Sequence, residues 1–190
     1  IPARSGSKSI PFKNIINFHN KPLIAWTILS SISSGIFDKV FVSTDSNKIK
    51  EISKKYGAEC NFLRPKKISR DNSLTMDAIK HTIKKFRKYN QEFDIITILQ
   101  PTSPLRKVSD IINSHKIFMK NLSKVDKLIS IVEVPHNFTT SSLMYFNKNG
   151  LIKNYDRKHK VIRQQKQKYF ARNGAAIYIL KRESIEEPIL

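Results

Sequence analysis

The sequence predicts an α/β fold with a mainly parallel sheet. Short apolar strands alternate with amphipathic helices along most of the chain, the rhythm that parallel sheets produce. The run Asp94–Leu99 (DIITIL) is apolar without alternation, as expected of a central parallel strand covered on both faces. The length, 190 residues, suffices for one domain with a real core, or one domain and a small appendage.

The elements follow in order. The opening run IPAR has the look of the end of a strand, and it leads into a loop holding Arg4, Gly6, Ser7, Lys8 and Lys13. Pro22 suits the first position of a helix, PLIAWTILSSIS, with Leu23, Ile24, Thr27, Ile28 and Ile32 on one face and Gly35 at its end. Lys39–Ser43 reads as a short strand rich in branched and aromatic residues. Asp45 or Ser46 then caps a helix carrying Ile49, Ile52 and Tyr56 and closed by Gly57. Ala58–Leu63 is a further candidate strand. Ser73 opens an amphipathic helix with Met76, Ile79, Ile83 and Phe86 inward. After Asp94–Leu99, two prolines in Gln100–Arg106 forbid regular structure, Asp110 begins another helix, and Leu128–Val134 is another strand.

From Pro135 to Arg172 the rhythm breaks. Leu143–Phe146, an Asn149–Gly150 turn and Leu151–Ile152 read as a hairpin, followed by a basic run from Lys153 to Lys168. Ala175–Leu180 resumes the strand pattern, with a short helix from Glu183. The middle segment is therefore an insertion that leaves the sheet and returns, with a disordered basic loop as the rival account.

Composition narrows the function. An apolar fraction of 39% argues against disorder, and no apolar run approaches a membrane span. The single cysteine, Cys60, excludes a disulfide framework and fits a reducing cytosol, with a buried or idle thiol as its plain role. A net charge of +20 invites a nucleic-acid partner, but the lysines are spread along the chain with abundant Ile, Asn and Ser. No zinc spacing, aromatic RNA-binding signature or helix-turn-helix accompanies them, so no nucleic acid and no membrane are expected as partners. An anionic small substrate is the better match.

The opening loop suits a polyphosphate, because small residues admit backbone N–H groups and cations neutralise charge. With only Gly6 it is neither GxxxxGK[ST] nor GxGxxG, and a basic surface loop is the plain alternative. Ligands of such sheets bind at the carboxyl ends of strands, where this loop, Ser43–Asp45 and Gln100–Arg106 all fall. That convergence favours the polyphosphate.

The segments IPARSGSKSIPFKN, KPLIAWTI, FDKVFVSTDS, LRP with the later Asp71, LQPTSPLR and RNGAAIYI resemble, in order, those of the acylneuraminate cytidylyltransferases and their bacterial relatives acting on legionaminic-type nonulosonic acids. The resemblance spans nearly the whole chain. It implies a three-layer Rossmann-like nucleotide-diphospho-sugar transferase fold, a single domain over 1–190, and an inserted dimerisation arm at 135–172. It implies a reaction of CTP with a nine-carbon keto-sugar acid, giving a CMP-sugar and pyrophosphate. A cytidylyltransferase for an eight-carbon acid, or a non-catalytic nucleotide-binding relative, are the alternatives.

By the same resemblance, Arg4 and Lys13 hold the triphosphate with Ser7, and Lys13 is catalytic. Asn14 contacts the ribose, and Arg64 lies near the cytosine. Asp71, Ser73 and Thr75 frame base and sugar, Ser73 serving also as a helix N-cap. Gln100 bonds the acceptor sugar. Arg163 binds the sugar carboxylate and takes part in catalysis. Arg172 is a sugar-binding candidate whose register differs from the family's Arg-Pro-Asn-Gly. The Ala175–Ala176 version of that segment leans toward legionaminic-type members. Mg²⁺ is the implied cofactor, yet the family's Asp-x-Asp ligand pair occurs nowhere here, so no metal ligand is assigned. The expectation is a piece truncated at both ends, inactive or nearly so by itself, from a cytoplasmic homodimer.

Overall fold

The computed structural model describes residues 1–7, 10–140, 142–155, 168–172 and 176–186. These divide into two compact units, Ile1–Ser130 with Ala175–Leu190, and Ile131–Gly174.

In the first unit, β1 (Asn17–Phe18) and β2 (Lys21–Pro22) form a small antiparallel pair that delivers the chain into α1 (Leu23–Ser33). Pro22 stands one residue before the helix with extended ψ, so its missing N–H costs the helix nothing. Leu23, Ile24, Ala25, Thr27, Ile28 and Ser31 are buried, whereas Ile32, expected on that face, is 43% exposed. Gly35 (φ 64°) ends the element in the left-handed region.

The segment through Phe41–Ser43 is extended and parallel to its neighbours on both sides. Isolated parallel bridges join Pro2 to Ser43 and Phe41 to Glu59, with Ala3 N–H donating to Ser43 C=O (2.9 Å) and Val42 N–H to Glu59 C=O (2.9 Å). Ser46 caps α2 (Asn47–Lys55), its Oγ accepting from Ile49 N–H, so Ser46 rather than Asp45 is the cap. α3 (Thr75–Arg87) begins with Asp77 accepting the Leu74 N–H (3.2 Å). Ser73 is not its N-cap: the hydroxyl accepts from Arg70 N–H (3.0 Å), closing the preceding turn instead.

β3 (Ile95–Leu99), α4 (Val108–Lys120), β4 (Lys127–Ile129) and β9 (Ile177–Lys181) complete the unit. The sheet order is β3-β9-β4, and β9 runs antiparallel to both neighbours, with Ile95 opposite Lys181 and Lys127 opposite Leu180. Among the described residues this three-stranded sheet is therefore antiparallel, the parallel pairings being the isolated bridges at Pro2 and Phe41, and the parallel neighbour expected for Asp94–Leu99 is replaced by an antiparallel one. Apolar continuity reports burial on both faces, not the direction of a partner. Register confirms the two-sided burial. Leu99 and its partner Ile177 pack with Ile111 and Phe118 of α4, while Ile98 and Leu180 pack with Ile79 of α3. Helix, sheet and helix make three layers. A third cluster, Ala3, Ile24, Ile28, Val42, Ile49 and Ala58, binds α1 and α2 to the extended segments.

The strand expected over Leu128–Val134 is interrupted: β4 ends at Ile129, and the second unit opens with β5 (Val132–Glu133). There β5 pairs with β8 (Phe170–Ala171), and β6 (Met144–Phe146) pairs with β7 (Ile152–Asn154). The hairpin turn is held by Asn147, whose Oδ1 accepts from Asn149 N–H and Leu151 N–H, and by Gly150 at φ 74°. Met144, Phe146, Leu151, Ile152, Tyr155 and Phe170 are all exposed in this unit.

Candidate active site

The opening loop is built on the parallel bridge at Pro2. It turns through Ser5–Ser7, returns through Phe12 in the left-handed region (φ 53°, ψ 28°), and enters a 3-10 turn at Lys13–Ile15. Two fastenings hold it. The buried Asn14 donates from Nδ2 to the Arg4 carbonyl (2.8 Å), closing the loop across its base. Ser5 donates twice to Asp45, from its N–H to Oδ1 (2.8 Å) and from Oγ to Oδ2 (2.7 Å).

Lys13, Asn14, Arg4 and Ser7 from this loop share one pocket of about 170 Å³ with Arg64, Ser73, Thr75 and Gln100. Arg64 arrives from the segment after Cys60, its N–H bonded to Thr44 C=O (2.7 Å). Its guanidinium is buried, and both Nε and Nη2 lack a hydrogen-bond partner among the described residues. Burial lowers its pKa; the Asp45 charge opposes that fall and Arg4 adds to it. Uncompensated buried donors of a cation are costly, and such a cost persists where a ligand supplies the acceptors. Asp71 stands beside the pocket, its Oδ1 2.6 Å from Arg4 Nη1 in a pair that is partly exposed.

Gln100 sits at the carboxyl end of β3. Its backbone carbonyl accepts from Arg106 Nη2 (2.8 Å), and Arg106 also reaches Ala176 C=O through Nε (2.9 Å) and Thr27 Oγ1 through Nη1 (3.4 Å). Burial pushes the Arg106 guanidinium down to about 10, which leaves it charged at neutral pH. Two residues were missed in the sequence. Arg70 lines the pocket, and only its place in the turn before Asp71 hints at that. Asp45, taken only as a candidate cap, fastens the loop.

The sequence-predicted residues of the first unit thus converge: Arg4, Ser7, Lys13, Asn14, Arg64, Ser73, Thr75 and Gln100 line one pocket, with Asp71 on Arg4. Arg172 follows β8 in the second unit and is exposed. Arg163 lies outside the described residues. Volume does not select the site. A cavity of about 460 Å³ against β3, α3 and α4 is larger but is lined chiefly by apolar groups such as Phe37, Ile83, Phe86, Phe93 and Ile95. The smaller pocket has four cations, Arg4, Lys13, Arg64 and Arg70, around hydroxyl and amide donors, the equipment for a multiply charged anion.

Among the described residues no group of three or more His, Cys, Asp or Glu can hold a metal ion, and no helix is long and apolar enough to cross a membrane. The carboxylates nearest the pocket, Asp45 and Asp71, are engaged by Ser5 and Arg4. These residues do not make a Mg²⁺ site.

A three-layer α/β unit with a cationic, hydroxyl-rich pocket at its strand ends is an arrangement suited to a multiply charged anion. The solved structure of a CMP:2-keto-3-deoxy-manno-octonic acid synthetase complexed with CTP superposes with a TM-score of 0.70 over 97% of this chain and 73% of that one, at 17% identity, which establishes the fold. The profile of the cytidylyltransferase family matches residues 1–187, and the chain belongs to that family. It is 37% identical over 165 residues to the pseudaminic acid cytidylyltransferase of Campylobacter jejuni, covering 87% of this chain and 69% of that protein. It is also 37% identical over 131 residues to the CMP-N,N'-diacetyllegionaminic acid synthase of Legionella pneumophila, covering 67% of this chain and 56% of that protein.

Proposed function

We propose that this cytidylyltransferase transfers CMP from CTP to the anomeric hydroxyl of a nonulosonic acid of the sialic, legionaminic or pseudaminic kind. The anomeric oxygen forms a bond to the α-phosphorus, the bond from that phosphorus to the bridging oxygen breaks, and pyrophosphate leaves. The supporting observation is the single pocket that gathers Arg4, Lys13, Asn14, Arg64, Ser73, Thr75 and Gln100.

Arg4 and Lys13 neutralise the triphosphate, and Lys13 follows charge onto the leaving group as a compact ammonium on a flexible stem. Asn14 faces the ribose. The two free donors of Arg64 face the acceptors O2 and N3 of cytosine. Ser73 and Thr75 bracket the nucleoside, with Asp71 setting the position of Arg4. Gln100 offers donor and acceptor to the acceptor polyol. Arg163 and Arg172 are proposed sugar-carboxylate contacts from the resemblance alone, as is the dependence on Mg²⁺, which no residue described here supplies. Catalysis in this scheme is positioning and charge neutralisation rather than covalent chemistry.

A homodimer is proposed through the second unit, supported by its exposed Met144, Phe146, Ile152, Tyr155 and Phe170. A single-chain mass by light scattering overturns that. The reaction is placed in the cytoplasm, in keeping with one unpaired cysteine.

The test is pyrophosphate release by the protein with CTP, Mg²⁺ and a panel of eight- and nine-carbon keto-sugar acids. Release with a nine-carbon acid, falling by roughly 100-fold or more in Lys13→Ala, is expected for a group that neutralises transition-state charge. Release only with an eight-carbon acid replaces the acceptor. None with any acid, despite CTP binding, leaves a nucleotide-binding protein without this chemistry.

A further inference from the structure

We propose that Asp45 is the positioning residue of the phosphate loop, holding Ser5 so that Arg4, Ser7 and Lys13 face one ligand before it arrives. The inference rests on the CTP reading above. Asp45 stands just beyond the Phe41–Ser43 segment, immediately before the cap of α2, so its backbone belongs to packed structure rather than to the loop. Both of its oxygens are committed to one loop residue, Oδ1 to the Ser5 N–H at 2.8 Å and Oδ2 to the Ser5 hydroxyl at 2.7 Å. Hydrogen bonds to a charged acceptor are the strong ones, and two from one residue fix direction as well as distance. Ser5 lies between Arg4 and Gly6, at the bend, whereas the other fastening, Asn14 to the Arg4 carbonyl, closes the loop across its base. The first ties the loop to packed structure and the second ties its two ends to each other. Phe12 holds a left-handed backbone, a conformation that survives only where the surroundings impose it.

Charge alone predicts the opposite. Asp45 is an anion near a pocket meant for a polyanion, so by Coulomb's law its removal should tighten CTP. Geometry predicts weakening, because an unpinned loop must be ordered at the moment of binding. The sign of the change therefore separates the two accounts.

The experiment is titration of the full chain with CTP and with CMP by calorimetry, for wild type, Asp45→Asn, Asp45→Ala and Ser5→Ala, with hydrogen exchange read at the Ser5 amide. The amide oxygen of Asn keeps an acceptor for the Ser5 N–H and lacks the charge. The expected result is CTP affinity lower by about tenfold in Asp45→Ala and by about threefold in Asp45→Asn and Ser5→Ala. CMP, lacking the outer phosphates, changes less than about twofold, and Ser5 protection falls in step with the loss for CTP. Affinity that rises in both Asp45 variants shows a mere unfavourable charge and overturns the proposal. Equal losses for CTP and CMP show general destabilisation and overturn it too. If Asp45→Ala fails to fold, Ser5→Ala and Asp45→Asn carry the same comparison. A wild-type chain that binds no CTP defeats the CTP reading itself, and the proposal falls with it.

Discussion

On the proposed reading, Arg64 sets function and stability against each other. Its guanidinium is buried, with Nε and Nη2 unpartnered among the described residues, so the folded chain carries an unmet demand for acceptors. Replacing it by Met removes that demand at similar length. CTP affinity should fall by 10- to 100-fold, the loss of about 1.5–3 kcal/mol expected for bonds from a charged donor. Thermal stability should hold or rise, because a buried unpaired charge has been exchanged for an apolar group. Calorimetry and a melting curve on the same sample check both; a melting point that drops along with affinity assigns Arg64 to the framework instead. Arg64 was legible in the sequence by resemblance only, since nothing about LRP announces burial. Arg70 and Asp45 were not legible, because their roles depend on side-chain directions that spacing does not encode.

The elements themselves were largely readable, and the failures share a cause. The buried faces of α1 and α3 followed from a 3.6-residue period, and Gly35, Gly57 and Gly150 mark ends and turns where φ is positive. Gly57 shows how strict such a position is. At φ 92° an added Cβ would also lie 3.0 Å from Ile32 Cδ1, in a place where the neighbour must give. Gly57→Ala should therefore destabilise by about 1–2 kcal/mol, measurable by urea denaturation, with an m-value unchanged. A neutral effect refutes the backbone assignment at the end of α2. What sequence did not reveal is pairing direction. β9 is as apolar as a parallel strand because both of its faces are covered, yet the chain reaches it from the second unit and enters antiparallel. Helix starts were also misplaced by two residues, at Ser73 and Asp110, because the aspartates act from inside the first turn.

At the scale of the whole molecule the net charge of +20 sets solubility and attraction for anions, while the buried titratable groups set the pH range of the fold. Burial lowers the pKa of His115, whose ring nitrogen meets Thr97 Oγ1 at 2.8 Å. Burial also lowers that of His81, with Lys85 and Arg64 adding to the effect. The unfolded chain takes up protons near the ordinary value of 6.5, where the folded chain still refuses them. Stability is thus full above that value and declines as pH falls below it toward the depressed folded values. Denaturant midpoints should drop between neutral and mildly acid pH, and less so in a His115→Gln variant. A midpoint flat across that window contradicts the burial of both rings. Residues Ile131–Gly174 form a unit of their own, and the strand expected over Leu128–Val134 runs across its boundary, because an apolar run gives no sign of where a chain leaves its sheet.

Arg106 has a consequence in time. Its three partners, Thr27, Gln100 and Ala176, lie 79, 6 and 70 residues away in the chain. A guanidinium is not drawn out of water until acceptors are waiting for it, so the wall of the pocket at Gln100 can set only after the last strand of the first unit has returned. Amide protection across Gln100–Arg106 is therefore expected to appear no earlier in refolding than that of β9, which follows Ala176. Amide protection across Gln100–Arg106 appearing well before that of β9 would rule this order out.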